Sequence, residues 1–234
     1  MLITLGVRDM RKHLFVLGVV IFLCCCSLLQ ATIITIDDFE SGSIDLRPTA
    51  LTVPIIQNET GLAGVYGGTR TIEYTVFGKS LSGAGVEMAE SLLIDNNGKR
   101  NWSTVELTYD AGGAGLNLDL SSFTIISMDA WFEHVAFDKD TVVTLTLSDG
   151  TNTASVTKTW DVEQCDLDLT LYFSLSGFAG VDKSNIQSLT VYIESDWYGE
   201  YAIDNIQVSD HDVPEPATIA IFLLGGLAIR LKKA

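Results

Sequence analysis

Between Thr32 and Asp210 apolar residues recur at every second position, and this alternation restricts the fold more than any other feature of the chain. Thr71–Phe77, Thr104–Tyr109, Val142–Leu147 and Leu189–Ile193 each alternate apolar with polar or small side chains. That is the spacing of a strand with one face in a core and the other in water. Val, Ile, Thr and aromatic residues, which suit a pleated and half-buried surface, are abundant in these runs. Turn-forming sequences separate them: Asn96-Asn97-Gly98, Ala111-Gly112-Gly113, Asp149-Gly150 and Ser176-Gly177. Asp149-Gly150, between Val142–Leu147 and Thr153–Thr159, predicts a hairpin. Roughly ten to twelve such strands are legible. No long helix is expected in the body, and a single helical turn is expected at Asn185–Ser188. The pattern predicts an all-β fold, a two-sheet antiparallel β-sandwich.

The two ends follow a different rule. Met1–His13 carries Arg8, Arg11 and Lys12, Leu14–Cys26 is apolar, and small residues follow at Ser27 and Ala31. This is the order of a secretory signal peptide, expected over 1–31 as a helix, with cleavage after Ser27 or Ala31 and a permanent N-terminal anchor as the alternative. At the other end, 211–234, a His211-Asp212 linker leads into Val213-Pro214-Glu215-Pro216. An uncharged apolar run, Ala217–Ile229, follows, and then Arg230-Leu231-Lys232-Lys233. Pro214 and Pro216 fix φ and lack an N–H, so the motif stays extended, as a protease or transpeptidase cleft requires. The thirteen apolar residues extend roughly 20 Å as a helix, short of the ~30 Å hydrocarbon core. The flanks must complete a transmembrane helix, with Arg230, Lys232 and Lys233 reaching the cytoplasmic surface. A short buried helix closing a soluble domain is the plain alternative.

This order of parts resembles the PEP-CTERM sorting signal of Gram-negative and related bacteria. The resemblance implies export through signal peptidase, transient anchoring in the inner membrane, and processing near Pro214–Pro216 by an exosortase, a membrane cysteine transpeptidase. Proteins of that class are commonly cell-surface or exopolysaccharide-associated.

The body is strongly acidic. The chain has 234 residues and a formal net charge of −16. Thr32–Asp212 holds eight basic and twenty-eight acidic residues, a balance that repels nucleic acid and favours solubility and divalent cations. Cys24, Cys25 and Cys26 fall in the N-terminal apolar segment, which leaves Cys165 alone in the body, without an internal disulfide partner or a Cys/His metal spacing.

The opening Ile36-Asp37-Asp38-Phe39-Glu40-Ser41-Gly42 and the closing Tyr201-Ala202-Ile203-Asp204-Asn205-Ile206-Gln207-Val208 resemble the first and last strands of jelly-roll carbohydrate-binding modules, the galactose-binding-like group. Leu171–Leu175, Gly177-Phe178 and Ile186–Ile193 are similar to that group's penultimate strands, while Leu46–Asp119 departs from its pattern. The resemblance implies that the terminal strands pair. It also implies that carboxylates near them hold a structural calcium, here Asp37, Asp38, Glu40 and Asp204, with Asn205 as a carbonyl donor. Calcium takes six to eight oxygens, which clustered carboxylates supply. The alternative is that these acids cap strand ends and turns.

A sugar site needs an exposed aromatic platform beside hydrogen-bonding groups. Trp197 and Tyr198, in the polar tip Ser195-Asp196-Trp197-Tyr198-Gly199-Glu200, are the first candidates. Trp131 and Phe132 are adjacent and so face opposite sides, while Trp102 and Trp160 lie at strand ends with no face assigned. Catalysis has little support. His134 sits in a strand pattern and His211 in the linker, so no Ser-His-Asp or Cys-His arrangement is evident. No Glu-x-Asp-x-Glu run offers paired carboxylates along a strand. Gly112, Gly113 and Gly115 lack the Lys-Ser/Thr of a phosphate loop. The expectation is an exported surface or matrix protein that is not an enzyme, with a glycan-binding module as the alternative.

Overall fold

The computed structural model describes residues 32–89, 92–97, 101–133, 141–160, 168–195 and 200–210. Alternation is complete in Asn101–Tyr109: Asn101, Ser103, Val105, Leu107 and Tyr109 are buried, while Trp102, Thr104, Glu106 and Thr108 are half-exposed. The same rule builds the rest. The strands are β1 (Ile33–Asp37), β2 (Asp45–Leu46), β3 (Ile55–Thr60), β4 (Thr69–Gly78), β5 (Ala84–Ala89), β6 (Leu92–Asn97), β7 (Asn101–Tyr109), β8 (Ile125–Glu133), β9 (Thr141–Ser148), β10 (Thr153–Trp160), β11 (Asp168–Ser174), β12 (Ser188–Glu194) and β13 (Glu200–Ser209).

They form two antiparallel sheets. A six-stranded sheet runs β10-β9-β12-β7-β4-β3, and a seven-stranded sheet runs β11-β8-β13-β6-β5-β2 with β1 also on β13. The core lies between them. Ile126, Met128 and Phe132 of β8 and Tyr201, Ile203, Ile206 and Val208 of β13 are buried in one cluster with Val105, Leu107, Leu145, Leu147, Val191 and Ile193 of the other sheet. This is the expected β-sandwich.

The terminal strands pair, as the resemblance implied: Ile33 stands opposite Ser209 and Thr35 opposite Gln207. The same edge of β13 also serves β6, from Glu200–Asn96 to Ile203–Leu93. β13 therefore changes partner along its length. At the change lie Asp204 and Asn205, where the register with β8 shifts and Asn205 takes φ 52°. An amide side chain tolerates this left-handed conformation better than most.

The hairpin at Asp149-Gly150 forms as predicted. Gly150 takes φ 86°, and the Asp149 carboxylate accepts the Thr151 and Asn152 backbone N–H groups at 2.8 and 2.6 Å. Those bonds, with one from the Asp182 N–H, hold the Asp149 carboxyl far below the usual carboxylate range. One expectation fails: Asn185–Ser188 is not a helical turn. Ile186 forms an antiparallel bridge to Leu118 and Ser188 opens β12; the Leu118 backbone outcompetes a local turn for its hydrogen bonds.

The expected signal segment, the motif Val213–Pro216 and the cations Arg230, Lys232 and Lys233 lie outside the described residues, as do His134 and Cys165. Among the described residues no helix is long and apolar enough to cross a membrane.

Candidate functional site

On β8 the alternation that buries Met128, Ala130 and Phe132 turns Ser127, Asp129 and Trp131 to the outer face of the seven-stranded sheet. The neighbouring strands add to that face. Thr170 of β11 and Asp204 of β13 stand opposite Asp129, and Ala202 stands opposite Trp131. Together with Leu169 they line a cavity of about 270 Å³. Ala202 is small enough to leave a floor beside the indole. Thr170 Oγ1 donates to Asp129 Oδ1 at 2.7 Å, and Asn205 Nδ2 donates to Asp129 Oδ2 at 3.3 Å.

Asp204 is held differently. Its Oδ1 is buried without a hydrogen-bond partner. Burial pushes its carboxyl above the usual range; the Asn205 backbone N–H lowers it, and the fields of Asp129, Asp38 and Glu40 raise it further. The site therefore offers an aromatic surface, a carboxylate oriented by two donors, and a second carboxylate, Asp204, whose Oδ1 is turned inward. Such a set stacks against an apolar ring face and accepts hydrogen bonds from hydroxyls.

The structure separates the expected calcium set. Asp37 is fully buried and its oxygens are committed: Oδ1 accepts the Phe39 N–H at 2.8 Å, and Oδ2 accepts Arg70 at 2.7 Å and the Tyr109 hydroxyl at 2.8 Å. Burial pushes its carboxyl up, and those donors pull against it. Arg70, also fully buried, donates to Glu59 at 2.6 Å and to the Ser41 carbonyl at 3.2 Å, and lies 5.2 Å from the centre of the Phe39 ring. Asp38 instead packs its carboxylate against Gly64 and accepts the Glu40 N–H at 3.0 Å, and the charges of Asp38 and Glu40 raise the Asp204 carboxyl from a distance. Among the described residues no three His, Cys, Asp or Glu side chains stand close enough together to grip one ion.

Of the aromatic candidates, Phe132 is core and Trp131 faces outward. Trp102 is spent on Phe77, stacked at 4.0 Å with an interplanar angle of 11°. Trp197 and Tyr198 lie outside the described residues. Asp129 and Arg70 were missed by sequence reasoning, yet each carried a signal. Asp129 shares a period-two face with Trp131, and Arg70 shares the apolar face of Ile72 and Tyr74.

The sequence matches no protein-family model and no curated protein. Among solved structures the chain is similar to a family 11 carbohydrate-binding module from a cellulosomal cellulase of Clostridium thermocellum, at 14% identity over 76% of this chain and 94% of that one, with a TM-score of 0.38. It is also similar to a family 29 module solved with mannohexaose, at 14% identity, 78% and 94% coverage and a TM-score of 0.40. A family 61 module solved with β-1,4-galactotriose matches at 13% identity, 68% and 88% coverage and a TM-score of 0.34.

Proposed function

We propose that this chain is an exported surface protein whose sandwich binds a polysaccharide on the outer face of the seven-stranded sheet, without cleaving it. The observation that carries the binding reading is the outward Trp131 beside Asp129, Asp204 and Thr170. A sugar ring stacks on the indole, and its hydroxyls donate to the two carboxylates. The signal segment and the Val213–Pro216 tail support export, exosortase processing and presentation at the surface or in an exopolysaccharide matrix.

Affinity electrophoresis through gels containing extracted matrix polysaccharide tests the binding. Wild-type protein is retarded, and Trp131→Ala loses about tenfold in affinity with an unchanged melting temperature. Trp197→Ala enters the same experiment as the second platform expected from the sequence. Equal retardation of wild type and Trp131→Ala rejects the site, and release of reducing ends rejects the non-catalytic reading.

A structural calcium on Asp38, Glu40, Asp204 and Asn205 is the competing proposal: it would take the carboxylates that the sugar reading leaves for hydroxyls, and it needs the three acids to draw closer together than they stand. A melting temperature that falls on adding EDTA supports it, and one that ignores EDTA removes it.

A further inference from the structure

The face that carries Trp131 does not stop at Asp204. On the far side of β13, Thr35 of β1 stands opposite Gln207. Beyond β1 the segment Ala63–Gly67 closes against the strand end. Asp37 bridges Val65, and the Asp38 N–H donates to the Gly64 carbonyl at 3.3 Å. A second cavity of about 410 Å³ opens there, with Thr35, Asp38, Gly64 and Tyr66 in its lining. Asp38 packs tightly on Gly64: a Cβ at this position would lie 1.9 Å from Asp38 Oδ1, so the carboxylate would have to move. The ring of Tyr66 is half-exposed.

Both cavities follow one chemical pattern. Each has an aromatic residue at one side and a carboxylate beside it, and among the described residues no Lys or Arg lines either. Asp204 lines the first cavity where β13 passes from β6 to β1, and Asp38, just past the end of β1, lines the second.

We propose that the two cavities are subsites of a single cleft, running from Trp131 past Asp204 and Asp38 to Tyr66, that takes a linear oligosaccharide of several uncharged sugars. This rests on the glycan-binding reading above and deepens it. From β8 across β13 and β1 to the 63–67 segment there are three chain spacings, roughly 14 Å. That is longer than any single sugar ring, so one chain must lay several units along it. Carboxylates accept hydrogen bonds from hydroxyls but repel other carboxylates, most strongly at low ionic strength. Neutral sugars fit, and uronic acids do not.

Titration calorimetry on the full chain tests this, with neutral gluco-, manno- and galacto-oligosaccharides of one to six units and uronic-acid hexamers of matched length as probes. Affinity for the preferred neutral series rises with length until the cleft is spanned, and uronic hexamers bind at least tenfold more weakly. Tyr66→Ala shrinks the hexamer-to-disaccharide affinity ratio about tenfold. Asp38→Asn, which preserves shape and removes charge, narrows the gap between neutral and uronic hexamers if Tyr66→Ala fails to fold. Affinity independent of length, or a hexamer affinity indifferent to Tyr66→Ala, overturns the second subsite while a Trp131→Ala loss leaves the first reading standing. Equal binding of uronic hexamers overturns the charge selection. No binding by any probe overturns both readings.

Discussion

Asp204 shows how one side chain links the fold to its proposed use. Its backbone sits where β13 changes partner, so no neighbouring strand supplies its Oδ1 with a donor. Burial and three nearby carboxylates favour the protonated form and raise its pKa. A folded-state pKa above the unfolded value means that its contribution to stability is greatest below the ordinary carboxylate range and falls as pH rises through the raised value. A sugar hydroxyl donating to the open side of the Asp204 carboxylate favours the ionised form instead, so binding expels a proton. Glycan affinity is therefore expected to strengthen as pH rises from about 4 through the raised Asp204 value and then level off. Asp204→Asn flattens that profile. Calorimetry in buffers of different ionisation enthalpy reads the released proton directly, and a flat wild-type profile would sink the assignment.

At the scale of elements, the buried Arg70 cluster ties the two sheets together at one corner. Arg70 belongs to β4 and Glu59 to β3, Tyr109 ends β7, and Asp37 ends β1 in the opposite sheet. Removing the cation strands two carboxylates, one fully buried and the other nearly so, which costs about 3–5 kcal/mol for a buried pair broken on one side. Arg70→Met is expected to lose stability on that order in urea denaturation. Adding Asp37→Asn to it recovers part of the loss, because the most buried unpaired charge goes with it. A stability change under about 1 kcal/mol for Arg70→Met would show the network to be idle, as surface pairs commonly are. The cluster also explains why Asp37 was misread. Asp37 and Asp38 are adjacent in sequence and look equivalent. The bulge at the end of β1 sends one into the core and leaves the other half-exposed against Gly64, and alternation alone does not reveal a bulge.

For the whole molecule, the architecture was legible because period two is a local property. β4, β7, β9 and β12 can be read in Thr71–Phe77, Thr104–Tyr109, Val142–Leu147 and Leu189–Ile193, and the β9–β10 hairpin in Asp149-Gly150. The site was less legible because it is assembled from residues distant in the chain, Asp129, Thr170 and Asp204, which meet only through sheet order. Trp131 was recognised as outward or core by its adjacency to Phe132, but its carboxylate neighbours required the topology. The sorting reading also concerns the chain as a whole. Replacing Pro214, Glu215 and Pro216 with alanine is expected to block processing, so that mass spectrometry of the exported protein finds the C-terminal segment retained. Processing identical to wild type would remove the exosortase from the account.

The strand order has a consequence for biogenesis. β13 is last in the sandwich sequence, yet it lies inside the seven-stranded sheet, bonded to β8, β6 and β1 at once. Earlier strands on either side of it have no completed ladder until those last residues arrive. The sandwich therefore closes only after nearly the whole body has been synthesised, with most pairings spanning long stretches of chain. For the export proposed above this delay is favourable, because the feature that completes the sheet is also the last part of the body to emerge.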